Sequence, residues 1–320
     1  MIETANLSKH FGSIRAVDGI DLRVREGEVF ALLGPNGAGK TTTVRMLAAI
    51  LKPTTGWARV AGLDTVREAR QVRQIVGLLT EAPGLYTRMR ALEYLDFFGQ
   101  LYRLPSRQRA ARSEQLLRRF DLWDARHRRL GEYSKGMRQK LALVRAMLHD
   151  PLVLFLDEPT SAMDPYSARQ VREAILELRR ESRTIVLCTH NLSEAEALAD
   201  RIAIIRRGRI AALGSISELK RRLLGDPLFE LRLGTSLDGL LPLLEDLVQL
   251  REYGNNWARY TTPMPETVNP QLMQRLIEHG VPVITLSEVP RNLEEVYLRI
   301  VNDKQSDAET YHQLLEQGIT

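Results

Sequence analysis

Apolar and polar residues alternate along Ile20-Asp21-Leu22-Arg23-Val24-Arg25, the period of a strand with one buried face. After a turn at Glu26-Gly27 the pattern becomes an unbroken apolar run, Val29-Phe30-Ala31-Leu32-Leu33, which predicts a strand buried on both faces, as in a parallel sheet. A glycine-rich loop and a helix from about Lys40 to Leu51 come next. Residues 85–149 read as mostly helical, broken by Pro105 and Gly131. A second buried strand, Leu152–Leu156, precedes a helix in which Ala168, Val171, Ile175 and Leu178 recur at helical spacing. A strand from Thr184 to Cys188, a helix from about Ser193 and the run Ile202-Ala203-Ile204-Ile205 continue the alternation. Strand and helix alternating in this way predict a parallel α/β sheet with right-handed crossovers.

The character shifts after Arg222. The pattern there predicts strand 228–233, helix 236–248, strands 249–253 and 257–262, helix 266–279, strand 281–287 and helix 291–302. That order is the split βαβ, ferredoxin-like pattern, over a length sufficient for a small domain. The expected organisation is a domain over residues 1–222 with a helical subdomain at about 85–149, a small α+β domain over 223–303, and a polar tail at 304–320.

With 320 residues, 44% hydrophobic and 27% charged, the chain has the bulk of two ordinary globular domains. No apolar run approaches the ~18 residues of a membrane-spanning helix. The start, Met1-Ile2-Glu3-Thr4-Ala5-Asn6, has neither the basic nor the apolar region of a signal peptide. The one cysteine, Cys188, has no disulfide partner in the chain and is expected to be an inert buried thiol. A cytoplasmic chain is the expectation.

The net charge of +5 raises the question of a nucleic-acid or membrane surface. Arginine outnumbers lysine 38 to 7, a bias spread along the whole chain. The densest stretch, Arg103 to Arg129, lacks the interleaved aromatics of a single-strand binding surface. It predicts a solvated helix face first and attraction to an anionic membrane surface second, with no nucleic-acid partner.

The strongest chemical signal is Gly34-Pro35-Asn36-Gly37-Ala38-Gly39-Lys40-Thr41, a G-x-x-x-x-G-K-[ST] loop between a buried strand and a helix. Its glycines let backbone N–H groups face phosphate oxygens, and the helix N-terminus adds partial positive charge. Lys40 is placed for the β/γ-phosphates of a nucleotide and the Thr41 hydroxyl for Mg²⁺. The second signal is the buried strand running into Asp157-Glu158. Asp157 is placed to hold Mg²⁺ through water, and Glu158 to orient or deprotonate the attacking water. Many buried strands end in acids, so this pair gains its meaning from the loop upstream.

Tyr133-Ser134-Lys135-Gly136-Met137-Arg138-Gln139-Lys140 stands 94 residues after Lys40 and 23 before Asp157, counted at Ser134. Together with the loop and Asp157-Glu158, it makes the chain resemble the ATP-binding subunits of ABC transporters, P-loop NTPases with a helical subdomain. The octet occupies the place of the LSGGQ signature. Ser134 and Gly136 are kept, and Tyr133, Lys135 and Met137 depart in the manner of the exporter branch associated with drug resistance. The resemblance implies an ATPase with ATP and Mg²⁺ as cofactors. It also implies a homodimer or paired ATPase subunit, separate permease subunits, and a place at the cytoplasmic face of the membrane. It carries nucleotide-binding roles onto Gly34, Asn36, Gly37, Gly39, Lys40, Thr41 and Thr42, and onto Ser134 and Gly136 toward ATP on the opposite subunit. Ser134 is equally a plain helix N-cap. Phe11 stands where the family stacks an aromatic on adenine, although an aromatic there is also a core residue by type. Ser161-Ala162-Met163-Asp164 resembles the segment coupling the two sites, and Asp164 before Pro165 also reads as an N-cap. His190 matches the switch histidine that touches the γ-phosphate. Glu81 stands where relatives usually carry a glutamine that reaches Mg²⁺ and senses the permease; a carboxylate oxygen is also a hard Mg²⁺ ligand. The segment Ser287 to Leu298 resembles the closing segment of exporter-type ATPase subunits.

Overall fold

The computed structural model describes residues 1–302 except 83, 162 and 182, so the polar tail at 304–320 and Ala162 of the coupling segment lie outside the described residues. β1 (Ile2–Phe11) and β2 (Ile14–Val24) pair as a hairpin, and β3 (Val29–Leu33) leads through the glycine-rich loop into α1 (Lys40–Leu47). β4 (Thr55–Val60), β5 (Leu63–Asp64), α2 (Ala69–Ile75) and β6 (Val76–Leu79) follow. The helical segment contributes α3 (Ala91–Leu101), α4 (Ser106–Arg119) and α5 (Lys135–Met147). The chain then returns as β7 (Val153–Asp157), α6 (Pro165–Arg180), β8 (Thr184–Thr189), α7 (Leu192–Leu198), β9 (Arg201–Arg206), β10 (Arg209–Gly214) and α8 (Ile216–Leu224).

A six-stranded sheet in the order β10-β9-β3-β8-β7-β6 forms the centre, parallel throughout except at β9–β10. An antiparallel sheet, β2-β1-β4-β5, covers one of its faces. Side chains of a strand alternate between faces, and the cores divide accordingly. Phe30, Leu32, Val153 and Phe155 pack with Ile2, Leu7 and Val60 of the antiparallel sheet. Val29, Leu154 and Leu156 pack on the other side with Leu95, Leu117, Leu143 and Tyr133 of the helical segment. Every residue of β3, β7 and β8 is buried, which is why their apolar runs lack alternation.

α1 stops at Leu47, earlier than the expected Leu51, because Ala49 turns into the left-handed region at φ 54°. The arginine-rich stretch is less solvated than its composition suggests. Arg109 is 2.6 Å from Asp96, Arg112 2.9 Å from Asp150 and Arg119 2.7 Å from Glu177, and all three side chains are largely buried.

The contact pattern separates Met1–Ile216, together with the described residues from Ile300 onward, from a second unit, Ser217–Arg299. In that unit β11 (Leu228–Leu233), α9 (Leu241–Glu245), β12 (Gln249–Tyr253), β13 (Trp257–Thr261), α10 (Pro265–Glu278) and β14 (Val283–Glu288) precede α11 (Leu293–Asn302). The sheet is antiparallel, in the order β12-β13-β11-β14, the ferredoxin-like arrangement, over a core of Phe229, Leu231, Leu244, Leu272 and Leu276. The expected helix 236–248 contracts to the five residues of α9. Before it, the Ser236 hydroxyl sits 2.8 Å from Asp238 and 3.1 Å from Asn255, Gly239 has φ 80°, and Pro242 fills the first turn. Short polar side chains that bond locally compete with helix formation, and here they hold a turn.

Candidate active site

The loop after β3 is shaped by what its glycines pass. A Cβ on Gly34 would lie 2.4 Å from the Ile205 carbonyl oxygen, and one on Gly39 2.4 Å from that of Ala16. Gly39 also has φ 108° as it caps α1, a conformation that side chains oppose. The loop therefore exists only with bare backbone at these places, and the start of α1 with its free N–H groups is held where an anion gains from the helix dipole. Asn36 and Gly37 are exposed on the loop, and Thr42 is half-buried in the first turn of α1. Lys40 is buried, with Nζ donating to the carbonyls of Gly34 at 2.6 Å and Pro35 at 3.1 Å. Loop carbonyls thus hold the buried ammonium at the mouth of the cradle.

At the next strand end, the Thr41 hydroxyl donates to Asp157 Oδ2 at 2.8 Å. Asp157 is buried, and desolvation is the main reason that its carboxyl is held above the usual range; the charges of Glu158 and Glu81 push the same way, while the Thr41 bond and Lys40 oppose them. Glu81, exposed beyond the end of β6, is therefore close enough for its field to reach Asp157. Thr41 and Asp157 offer hard oxygen donors of the type Mg²⁺ prefers. Among the described residues no group of three or more His, Cys, Asp or Glu side chains could hold a metal. A metal between Thr41 and Asp157 would need further oxygens, which nucleotide phosphates carry.

Glu158 sits at φ 50°, uncommon for a residue with a side chain. The surroundings fix it there: its N–H donates to the Cys188 carbonyl at 2.9 Å, and its own carbonyl accepts from Gln139 Nε2 at 3.3 Å and the Ser161 N–H at 3.1 Å. Its carboxylate Oε1 accepts the His190 backbone N–H at 3.0 Å and lies 2.7 Å from His190 Nδ1. The His190 ring is 60% exposed against 9% for the Glu158 side chain, so the pair joins a buried carboxylate to a ring open to whatever fills the cradle.

Ser134 caps α5, its Oγ accepting the Met137 N–H at 3.2 Å. Asp164 caps α6 in the same way, accepting from Ser167 at 3.0 Å, and that bond holds its carboxyl below the usual range. The two caps are neighbours, since a Cβ on Gly136 would stand 3.9 Å from Asp164 Oδ2 and 3.6 Å from Ser167 Oγ. Phe11, at the end of β1, is half exposed, with Lys9 Nζ 5.3 Å from its ring centre; it is not a core residue. Thr41 thus meets Asp157, Glu158 meets His190, and Gly136 lies beside Asp164. The described residues contain no hydrogen bond from Ser134 to the loop, and its hydroxyl is exposed.

Two residues of the site escaped sequence reasoning. Gln139 reaches the Glu158 carbonyl from inside α5, a contact between segments that no local pattern signals. Glu194, buried on α7, accepts the Thr160 hydroxyl at 2.6 Å, and burial raises its carboxyl. A charged residue on an otherwise apolar helix face four positions after His190 was its only signal. Cys188 is fully buried, and desolvation pushes its thiol well above the ordinary value.

Comparison with known proteins agrees with this geometry. Residues 17–161 match the ABC transporter family model. The daunorubicin resistance ATP-binding protein DrrA3 of Streptomyces coeruleorubidus is 44% identical over 218 residues, 68% of this chain and 69% of that protein. DrrA2 of the same organism, also a daunorubicin resistance ATP-binding protein, is 36% identical over 310 residues, 95% of each chain. Among solved structures, MJ0796, a bacterial ABC transporter cassette in a dimeric structure, superimposes with a TM-score of 0.63 at 25% identity, covering 68% of this chain and 99% of that one. The chain belongs to the ABC transporter ATP-binding proteins and is an ATPase of that family.

Proposed function

We propose that this ATPase powers an exporter whose membrane-spanning parts are separate permease subunits, and that it works at the cytoplasmic face of the membrane as one of a pair. The observation that carries the reading is the Glu158–His190 pair at the end of the parallel sheet, beside the loop and Asp157. Glu158 accepts a proton from the attacking water at its carboxylate. His190 holds that carboxylate through Nδ1 and its backbone N–H, and presents the exposed remainder of its ring to the γ-phosphate. Lys40 leaves its loop carbonyls for the β/γ-phosphates, while Phe11 offers its exposed ring to adenine. Thr41 would ligate Mg²⁺ directly, Asp157 would hold it through water, and Glu81 would add a further carboxylate oxygen. The metal, when bound, supplies charge that offsets the growing negative charge on the phosphates.

Pairing follows from the signature end. Ser134 is exposed, Gly136 is half-buried beside Asp164, and among the described residues neither bonds to its own loop, so we assign them to the γ-phosphate in a second chain's site. The dimeric cassette among the structural neighbours supports this arrangement. The described residues contain no helix long and apolar enough to cross a membrane, and we assign the permeation path to separate subunits. A hollow of about 600 Å³ lined by Leu85, Tyr86, Met89 and Phe97 is the surface we assign to a permease segment. Tyr86 and Phe97 are 52% and 39% exposed there and pack edge to face. Resistance proteins among the relatives support export.

The test is size-exclusion chromatography of the Glu158→Gln chain with MgATP, with turnover measured in parallel. A dimer that retains ATP and fails to hydrolyse it is expected. Turnover near the wild-type rate would remove Glu158 from the role of base, and a monomer holding ATP would remove the pairing.

A further inference from the structure

In the second unit, the end of α8, β12, β13 and the residues after β14 enclose a cleft of about 260 Å³, lined by Arg251, Arg259, Arg291, Thr261, Glu252 and Asp226. A water takes roughly 30 Å³ of liquid, so this is space for several waters or one small group. The three guanidinium groups differ in how they are matched. Arg259 is neutralised, with Nε 2.8 Å from Glu230 and Nη1 3.1 Å from Glu252. Arg251 donates from Nε to the Thr261 hydroxyl at 3.1 Å and has no ion pair within the described residues. Arg291 directs Nη1 at the carbonyls of Gly225 and Asp226, at 3.0 and 2.9 Å, just past the C-terminal end of α8. That contact fixes its plane, and Nε, shut off from solvent, has no hydrogen-bond partner.

A guanidinium edge presents two parallel N–H groups at the spacing of two oxygens on phosphate or carboxylate. The guanidinium of Arg291, fixed by the backbone carbonyls and lining the cleft, and that of Arg251, without a carboxylate partner among the described residues, are the two cations an entering oxyanion would meet. We propose that this cleft binds a phosphate group, held between the guanidinium groups of Arg251 and Arg291, with Arg259 kept in place by its two carboxylates. The phosphate is carried either by a small soluble molecule or by a lipid headgroup. Asp226, an exposed carboxylate on the lining, opposes an anion and limits affinity.

The experiment follows the arginine Nε–H signals of the full chain by ¹⁵N NMR, assigned with the Arg251→Gln and Arg291→Lys variants. Inorganic phosphate is added against chloride of equal ionic strength. Because the readout is local to these side chains, phosphate binding in the glycine-rich loop does not imitate it. The Arg251 and Arg291 signals should move saturably with one midpoint. That midpoint should rise at least tenfold in Arg251→Gln and fall in Asp226→Asn. In separate arms, vesicles of phosphatidylglycerol and of phosphatidylcholine test the lipid source. Loss or broadening of the two signals with phosphatidylglycerol only assigns the site to headgroups, and saturation by free phosphate with no response to vesicles assigns it to soluble ligands. Signals that ignore both phosphate and vesicles, that follow chloride equally, or whose midpoint is the same in Arg251→Gln overturn the proposal.

Discussion

Lys40 and Thr41 find partners within their own chain, on the carbonyls of Gly34 and Pro35 and on Asp157, whereas Ser134 bonds only to the first turn of its own helix. On the loop side Lys40, Asp157 and Glu158 are buried at the strand ends of the central sheet; the signature side is two exposed helix caps lying next to one another. Packing fixes the backbone of the loop and the carboxylates of Asp157 and Glu158, while the Lys40 ammonium is parked on loop carbonyls close by. Under the proposed pairing, the groups that act on a second chain's nucleotide lie where another surface can reach them. The proposed split of the site between chains accounts for the difference between the two ends.

The largest effect is expected at the buried end. Glu158→Gln should slow hydrolysis by ~10²–10⁴-fold while ATP still binds, because the carboxylate is lost and the backbone contacts that fix the residue remain. Single-turnover measurements with excess enzyme report the chemical step directly.

Next comes complementation between the ends. Lys40→Ala and Ser134→Ala chains should each fail to occlude nucleotide and, when mixed, should recover one intact site per mixed dimer. No recovery in confirmed mixed dimers sinks the shared site. Ser134→Ala alone should cost only ~1 kcal/mol of folding stability, the usual loss for a cap. A hydrolysis defect far beyond that separates the two tasks of the hydroxyl.

Gly39→Ala tests the shape of the loop itself. The added methyl meets the Ala16 carbonyl oxygen in a conformation that side chains oppose, so at least ~1 kcal/mol of stability should be lost together with nucleotide binding. Denaturant unfolding alongside nucleotide titration checks both.

Asp157 supplies a pH dependence. Its carboxyl is raised in the folded chain, so folding takes up protons there: the stability linked to Asp157 is full below the unfolded value of 3.8 and is lost as pH rises through the folded one. Asp157→Asn should therefore stabilise the metal-free chain at pH 7 by ~0.5–2 kcal/mol, with the gain shrinking as pH falls toward 4. Thermal unfolding at several pH values in chelator shows it; equal stability of the two chains at pH 7 contradicts the burial argument. The smallest change is expected for Glu81→Gln, which should shift the Mg²⁺ dependence of hydrolysis and leave metal-free nucleotide affinity alone. An unaltered Mg²⁺ titration leaves Glu81 to the permease surface.

The strands were legible where burial on both faces produced apolar runs, as in β3, β7 and β8, and so was the loop, whose chemistry is confined to eight consecutive residues. Less legible was whatever depends on residues distant in sequence. The hold of Gln139 on Glu158 joins two segments through one side chain. Glu194 owes its burial to the packing of α7. The expected long helix before β12 failed because Ser236, Asp238 and Asn255 bond with one another, and apolar spacing at 237, 240, 241 and 244 does not register that competition. The arginines of α4 read as solvated because their partners, Asp150 and Glu177, lie outside that stretch of sequence.

Cys188, the one thiol in the chain, is enclosed in β8, and desolvation there holds it in the protonated form. A maleimide cannot modify it while the central sheet stays closed, because thiolate is the reactive form. A cysteine introduced at an exposed place such as Tyr253 becomes the sole target for a dye or cross-linker, with no need to remove the native one. Over longer times, the slow loss of the native thiol to reagent is a clock for the opening of the sheet's innermost strands, read in a chain that carries no label at all.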